Sequence, residues 1–150
     1  MKSVHDFVVT PKGERYNNTK QLDGGELILN TEIFNHQFVN REATVTATPL
    51  VGHADIRAGD TVLVHHNVFR RWHNVKGIEK NSRSYFNEST YFIAPDQIFL
   101  YKRDGEWICP KGYCFVMPLK AVDQFNTESE KPLQGVVKFS DGTVEVNDLV

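Results

Sequence analysis

Two thiols, Cys109 and Cys114, and three histidines, His65, His66 and His73, are the side chains best suited to holding a metal. The thiols stand five apart, and no second Cys/His pair follows at the spacing of a structural zinc site, which takes four ligands. Neighbouring side chains on a strand point to opposite faces, so His65 and His66 are expected to share no site. No metal or other cofactor is assigned. Arg70-Arg71-Trp72-His73, close to Lys76 and Lys80, carries a different chemistry: guanidinium groups for phosphate and an indole on which a base can stack. The 150-residue chain has a formal charge of −2, without the basic excess of a nucleic-acid-binding domain. The plainer reading of that run is a solvated hairpin. Asp55 and Asp60 flank a turn and read as turn formers. No Ser/His/Asp or Cys/His set has local support, and no glycine-rich phosphate-cradling loop is present. No catalytic residue is assigned, and the chain does not read as an enzyme.

The remaining candidate chemistry is apolar. Residues 12–26 (KGERYNNTKQLDGGE) have almost nothing to bury and are expected to be mobile. Gly24 and Gly25 add backbone freedom, and Leu27, Ile28 and Leu29 follow at once. Such a triplet is either buried as an ordinary core strand or offered to a partner. Residue types alone favour the core.

These residues must be positioned by strands. The apolar pattern is short in period and rich in β-branched and aromatic residues, with no amphipathic helix of ordinary length. Strands are expected at residues 4–10, 43–49, 61–66, 90–94, 97–102, 114–118 and 135–139. Residues 70–88 read as a long hairpin or loop. Asp104-Gly105 and Asp141-Gly142 read as hairpin turns, the second leading into a strand at 143–146, and residues 119–134 read as a linker. Short strands punctuated by Gly and Pro predict an all-β barrel or sandwich. Forty per cent hydrophobic and 24% charged content suits a globular domain. No apolar run approaches the roughly 18 residues of a membrane span, and two cysteines give no secreted disulfide framework. The N-terminus lacks a signal-peptide pattern. A cytoplasmic location is expected, with no membrane partner.

Five segments together resemble the GroES co-chaperonin family. Val4-His5-Asp6-Phe7-Val8-Val9 is similar to that family's opening strand. Gly24-Gly25-Glu26-Leu27-Ile28-Leu29 resembles its mobile loop, Gly-Gly before an aliphatic triplet. Glu42-Ala43-Thr44-Val45-Thr46-Ala47 falls where its second barrel strand lies. Ile56-Arg57-Ala58-Gly59-Asp60-Thr61-Val62-Leu63-Val64 resembles its glycine-aspartate turn and following strand. Tyr91-Phe92-Ile93 with Asp96-Gln97-Ile98-Phe99-Leu100 resembles its last two strands. The match covers about residues 3–102 in order. It implies a small GroES-like β-barrel over residues 1–102 with a mobile loop at about 12–40, and a C-terminal β extension of hairpins over 103–150. It also implies a homo-oligomeric ring, heptameric in the family, that caps a GroEL-type chaperonin and encloses an unfolded client protein. Carried over by position, Leu27, Ile28 and Leu29 contact the chaperonin, and Gly24 and Gly25 are the loop hinge.

The chain departs from the family in three places. Only about ten residues (PLVGHADIRA) stand where typical members build a roof hairpin, residues 67–89 are longer, and the chain runs on past residue 102. Together these point to a phage-encoded or otherwise divergent member, acting in a host cytoplasm. The strand at 97–102 would lie at the family's subunit contact, so the extension must clear that interface or join it. Two other readings remain open: a small β-barrel module for single-stranded nucleic acid, resting on residues 70–80, and a viral structural protein reusing the barrel.

Overall fold

Alternating apolar residues build the central sheet. Phe7 and Val9, Ala43 and Val45, Val62 and Val64, and Tyr91 and Ile93 stand two apart in sequence, and all are buried. That is the period of strands with one face on a core. The computed structural model describes residues 1–52, 55–120 and 130–150. Along the chain its strands are β1 (Phe7–Pro11), β2 (Thr19–Leu22), β3 (Gly25–Ile28), β4 (Glu42–Ala47), β5 (Thr61–Val64), β6 (Arg71–His73), β7 (Glu79–Asn81), β8 (Tyr85–Asn87), β9 (Thr90–Ile93), β10 (Ile98–Arg103), β11 (Glu106–Ile108), β12 (Cys114–Lys120) and β13 (Glu130–Ser140). The fold is mostly β, with antiparallel sheets and no α-helix among the described residues.

Seven strands form the main sheet in the order β11-β10-β5-β4-β1-β9-β8. Strands β9 and β10 lie four places apart in that order, yet only residues 94–97 join them. Four strand spacings in a flat sheet measure about 19 Å, close to the full reach of so short a connection. The sheet therefore curls, and its inner residues meet in one core with Val39, Val68 and Phe69. It does not close. The edge strands β8 and β11, three residues each, are not hydrogen-bonded to one another. A closed barrel was the expectation; the outer edge of β10 is instead taken by β11, from the extension.

An ion pair with a buried carboxylate and a half-buried guanidinium fastens the turn before β5 to the end of β10. Arg103 donates from Nε and Nη2 to the Asp60 carboxylate at 3.1 and 2.6 Å, and the Arg57 N–H donates to it at 2.8 Å. Burial pushes the Asp60 carboxyl up, but the Arg103 hydrogen bond, the Arg57 N–H and the two guanidinium charges outweigh it and hold the group below the usual carboxylate range. Asp60 is thus more than a turn former. The Asp55 carbonyl also accepts from Arg103, at 2.7 Å.

Several local expectations are corrected. The strand expected over 61–66 ends at Val64, because the chain turns at 65–69 to bury Val68 and Phe69. Within the polar stretch 12–26, to which no strand was assigned, Thr19–Leu22 pairs as β2 with β3. Asp141 does not turn a hairpin into a strand at 143–146. Its carboxylate accepts from the Gly112 N–H at 2.7 Å and the Thr143 N–H at 3.0 Å, which binds the turn to the loop before β12. Residues 119–120 and 130–134 of the expected linker belong to β12 and β13; residues 121–129, like His53 and Ala54 of the shortened roof, lie outside the described residues.

The expected Asp104-Gly105 turn joins β10 to β11. Beyond it, β12 and β13 pair in a sheet of their own, and the chain's last residues line the other side of β13 through reciprocal Gly135 and Val150 hydrogen bonds of 2.9 Å. The Tyr113 hydroxyl donates to the Asp96 carbonyl at 3.1 Å, and Phe99 packs on Tyr113 and Phe115. Gly135 is a close approach: a Cβ there would meet the Val116 side chain and the Met117 backbone.

Candidate functional site

The Leu27-Ile28-Leu29 triplet lies on a hairpin outside the main sheet. Strands β2 and β3 pair Thr19 with Ile28, Lys20 with Leu27 and Leu22 with Gly25, leaving Asp23 and Gly24 as a two-residue turn. Gly24 has φ +115°, a conformation open to glycine and strained for other residues. Gly25 lies in the strand and carries no such demand, so the two expected hinge residues have different local roles. Every residue of β2 and β3 is exposed. Leu27, Ile28 and Leu29 keep 47%, 60% and 49% of their surface in water, so about half of each remains to be buried by something else. Successive strand residues alternate faces, and Ile28 lines a shallow cleft with Tyr16, Ile33 and Arg71.

The stem below this hairpin is firmly held. The Asn17 N–H donates to the Phe38 carbonyl at 2.7 Å and the Asn40 N–H to the Arg15 carbonyl at 2.9 Å. Asn40 is buried, and its amide donates to the Lys12 and Glu14 carbonyls while its oxygen accepts from the Glu42 N–H. Buried Arg15 donates to the Phe69 carbonyl and Asn81 and lies over the Tyr85 ring at 5.2 Å. Tyr16 is the junction. Its hydroxyl donates to the Ile33 carbonyl at 2.9 Å and accepts from the Arg71 N–H at 2.8 Å, and the Arg71 guanidinium sits 5.1 Å from its ring. One tyrosine therefore ties the loop containing β2–β3 to the first residue of β6. Sequence reasoning missed Arg15, Tyr16 and Asn40, which sit in or beside stretches read as loose.

The basic run is divided by its geometry. Residues 71–73 form β6 and pair with β7, as a hairpin was expected. Arg71 turns to Tyr16 and Glu79, the latter at 3.4 Å, whereas Arg70 and Trp72 line a separate cleft with Arg83 and Phe34. His65 and His66 do not point apart, as the expected strand required. They lie beyond its end with rings stacked at 4.2 Å, and His36 approaches His66 at 5.3 Å. Burial, then the charges of His65, Arg41, His36 and Arg70, push the His66 imidazole down. Among the described residues no three His, Cys, Asp or Glu side chains gather as a metal site. Cys109 and Cys114 are free thiols. Cys109 donates to the Tyr113 carbonyl at 3.1 Å, and burial, with Asp141 and Cys114 nearby, pushes its thiol up.

What the hairpin presents is exposed apolar surface on an anchored stem. No family model, curated protein or solved structure matches the chain.

Proposed function

We propose that this chain is a lid subunit of the GroES co-chaperonin type, which docks on a chaperonin ring through Leu27, Ile28 and Leu29 and helps enclose a client protein. The curled sheet stands for the GroES-like barrel of that reading, opened at one edge by the extension. The observation that carries it is the half-exposed aliphatic triplet on a hairpin whose stem is fixed and whose strands are exposed along their length. Full burial of such a side chain stabilises by roughly 1.5–3 kcal/mol. With about half of each surface still available, one loop contributes about 2–5 kcal/mol, an affinity of roughly tens of millimolar to a few tenths of a millimolar before the cost of association. A pre-paired hairpin has less backbone to order than a free coil, which favours docking. A ring of such loops binds tightly because each engagement raises the effective concentration of the next. Weak hooks in parallel also let go together when the partner changes shape. Because β11 covers β10, the subunit contact of this lid passes to β11 and the extension rather than to β10 itself.

The test is native mass measurement with chaperonin capture in the presence of nucleotide, comparing wild type with Ile28→Asp. The wild type should form a ring and be captured. Ile28→Asp should form the same ring and escape capture, because a carboxylate in an apolar groove is costly to desolvate. Equal capture of both proteins, or a wild type that stays monomeric and unbound, overturns the reading.

A further inference from the structure

The cleft beside β6 and β7 brings guanidinium and aromatic side chains together. It measures about 520 Å³ and is lined by Arg70, Arg83, Trp72, Phe34, Asn67 and Ser84, with two further polar residues and no carboxylate. Two guanidinium groups without an acidic neighbour in the lining stand out in a chain of net charge −2. Burial of Val68 and Phe69 fixes the backbone just before Arg70. The Arg70 Nε is itself buried and has no hydrogen-bond partner among the described residues. The cleft also carries exposed aromatic surface. Trp72 and Phe34 are each more than 40% in water; the Phe34 ring leans on His73 at 5.5 Å, while Trp72 stands on β6 opposite Lys80.

We propose that this cleft binds a nucleotide unit, an aromatic base carrying a phosphate, with the phosphate on Arg70 and Arg83 and the base stacked on Trp72. Arginine recognises phosphate through its forked donors, bases stack on an indole whatever their sequence, and Asn67 and Ser84 offer polar atoms to a base edge. The volume falls within the range of small-ligand pockets. A free nucleotide and a single strand present the same chemistry, and the strand differs in adding phosphates that reach the Lys76 and Lys80 side of the hairpin.

The chain holds two tryptophans, so Trp107→Phe leaves Trp72 as the reporter. Full-length Trp107→Phe protein is titrated with uridine 5′-monophosphate, uridine, inorganic phosphate and a short oligothymidylate, at low and high salt. Uridine monophosphate should quench Trp72 saturably and bind about tenfold tighter than uridine or phosphate alone. Exposed Arg83→Ala should weaken it about tenfold with the circular dichroism unchanged, and Arg70→Ala should do the same. Tighter binding of the oligothymidylate with a steeper salt dependence identifies a strand as the ligand; equal or weaker binding identifies a free nucleotide. No quenching at millimolar nucleotide, equal affinity for uridine and its monophosphate, or indifference to Arg83→Ala overturns the proposal. No chaperonin is present in these titrations, so their failure leaves the reading of Leu27, Ile28 and Leu29 untouched.

Discussion

Hairpin β2–β3 ends at Asp23 and Gly24, where the backbone ladder closes the turn, and among the described residues no side chain of residues 19–29 makes a hydrogen bond. Hairpin β6–β7 ends at residues 74–78, where the Asn74 side chain accepts from the Lys76 and Ile78 N–H groups at 3.0 Å each and the Gly77 N–H donates to the Asn74 carbonyl. The first displays aliphatic side chains, the second an indole and cations. Both are tied to the same Tyr16 hydroxyl, one through Ile33 and one through Arg71. The contrast separates two ways of holding a hairpin tip. A tip held only by its own ladder is freer to change shape, whereas a tip pinned by an asparagine side chain is held to one turn geometry. The shared tyrosine lets one stem serve both.

Replacing the junction is the most damaging way to break that comparison. Tyr16→Ala removes a buried ring, two hydrogen bonds and the seat of the Arg71 guanidinium. Urea unfolding should show a loss of about 3–5 kcal/mol, and amide exchange should quicken in both hairpins. Quickening in one hairpin alone would mean that they do not share an anchor.

Next comes Asp60→Asn, which should cost about 1.5–3 kcal/mol through the Arg103 pairing. It acts on the sheet, so exchange in the hairpins should change no more than in β5 and β10. The native pKa of Asp60 is depressed, so its contribution is fully present above the ordinary carboxylate value of about 4 and is lost as pH falls through the lower native value. Acid titration of stability should therefore lose part of its low-pH limb in Asp60→Asn; an unchanged limb would contradict the pairing.

Tyr16→Phe keeps the ring and removes the hydroxyl, and should cost about 1–2 kcal/mol. It sharpens the comparison, because any remaining coupling between the hairpins must run through ring packing. Gly24→Ala should have the smallest effect, about 1 kcal/mol from its left-handed backbone. That loss should show as faster exchange in β2–β3 with β6–β7 unaltered; equal changes in both would dissolve the distinction between the tips.

Much of the sheet was legible because alternation at 7–9, 43–45, 62–64 and 91–93 reports burial directly, residue by residue. The Asp104-Gly105 turn was legible because its chemistry is local. What lay hidden depends on partners far along the chain. Tyr16 meets Arg71, 55 residues on, and Asp60 meets Arg103, 43 residues on, and no period in the sequence marks either. His65 and His66 were misplaced because a valine-rich strand gives no sign of where it stops; the need to bury Val68 and Phe69 decides it. Asp141-Gly142 has the composition of a hairpin turn, but the Gly112 N–H captures its carboxylate first. For the triplet, residue types favoured the core, whereas the structure leaves about half of each side chain in water.

Gly135 lies where β13 crosses so near β12 that a single methyl group would strike Val116 and Met117. Exchanging one hydrogen for that methyl would act as a wedge between two strands whose shared interior holds little beyond Val137. Gly135→Ala is thus a lever for prising the added sheet away from within, with every other residue left in place. Each activity proposed above can then be tested against the main sheet and the added one separately, without cutting the chain.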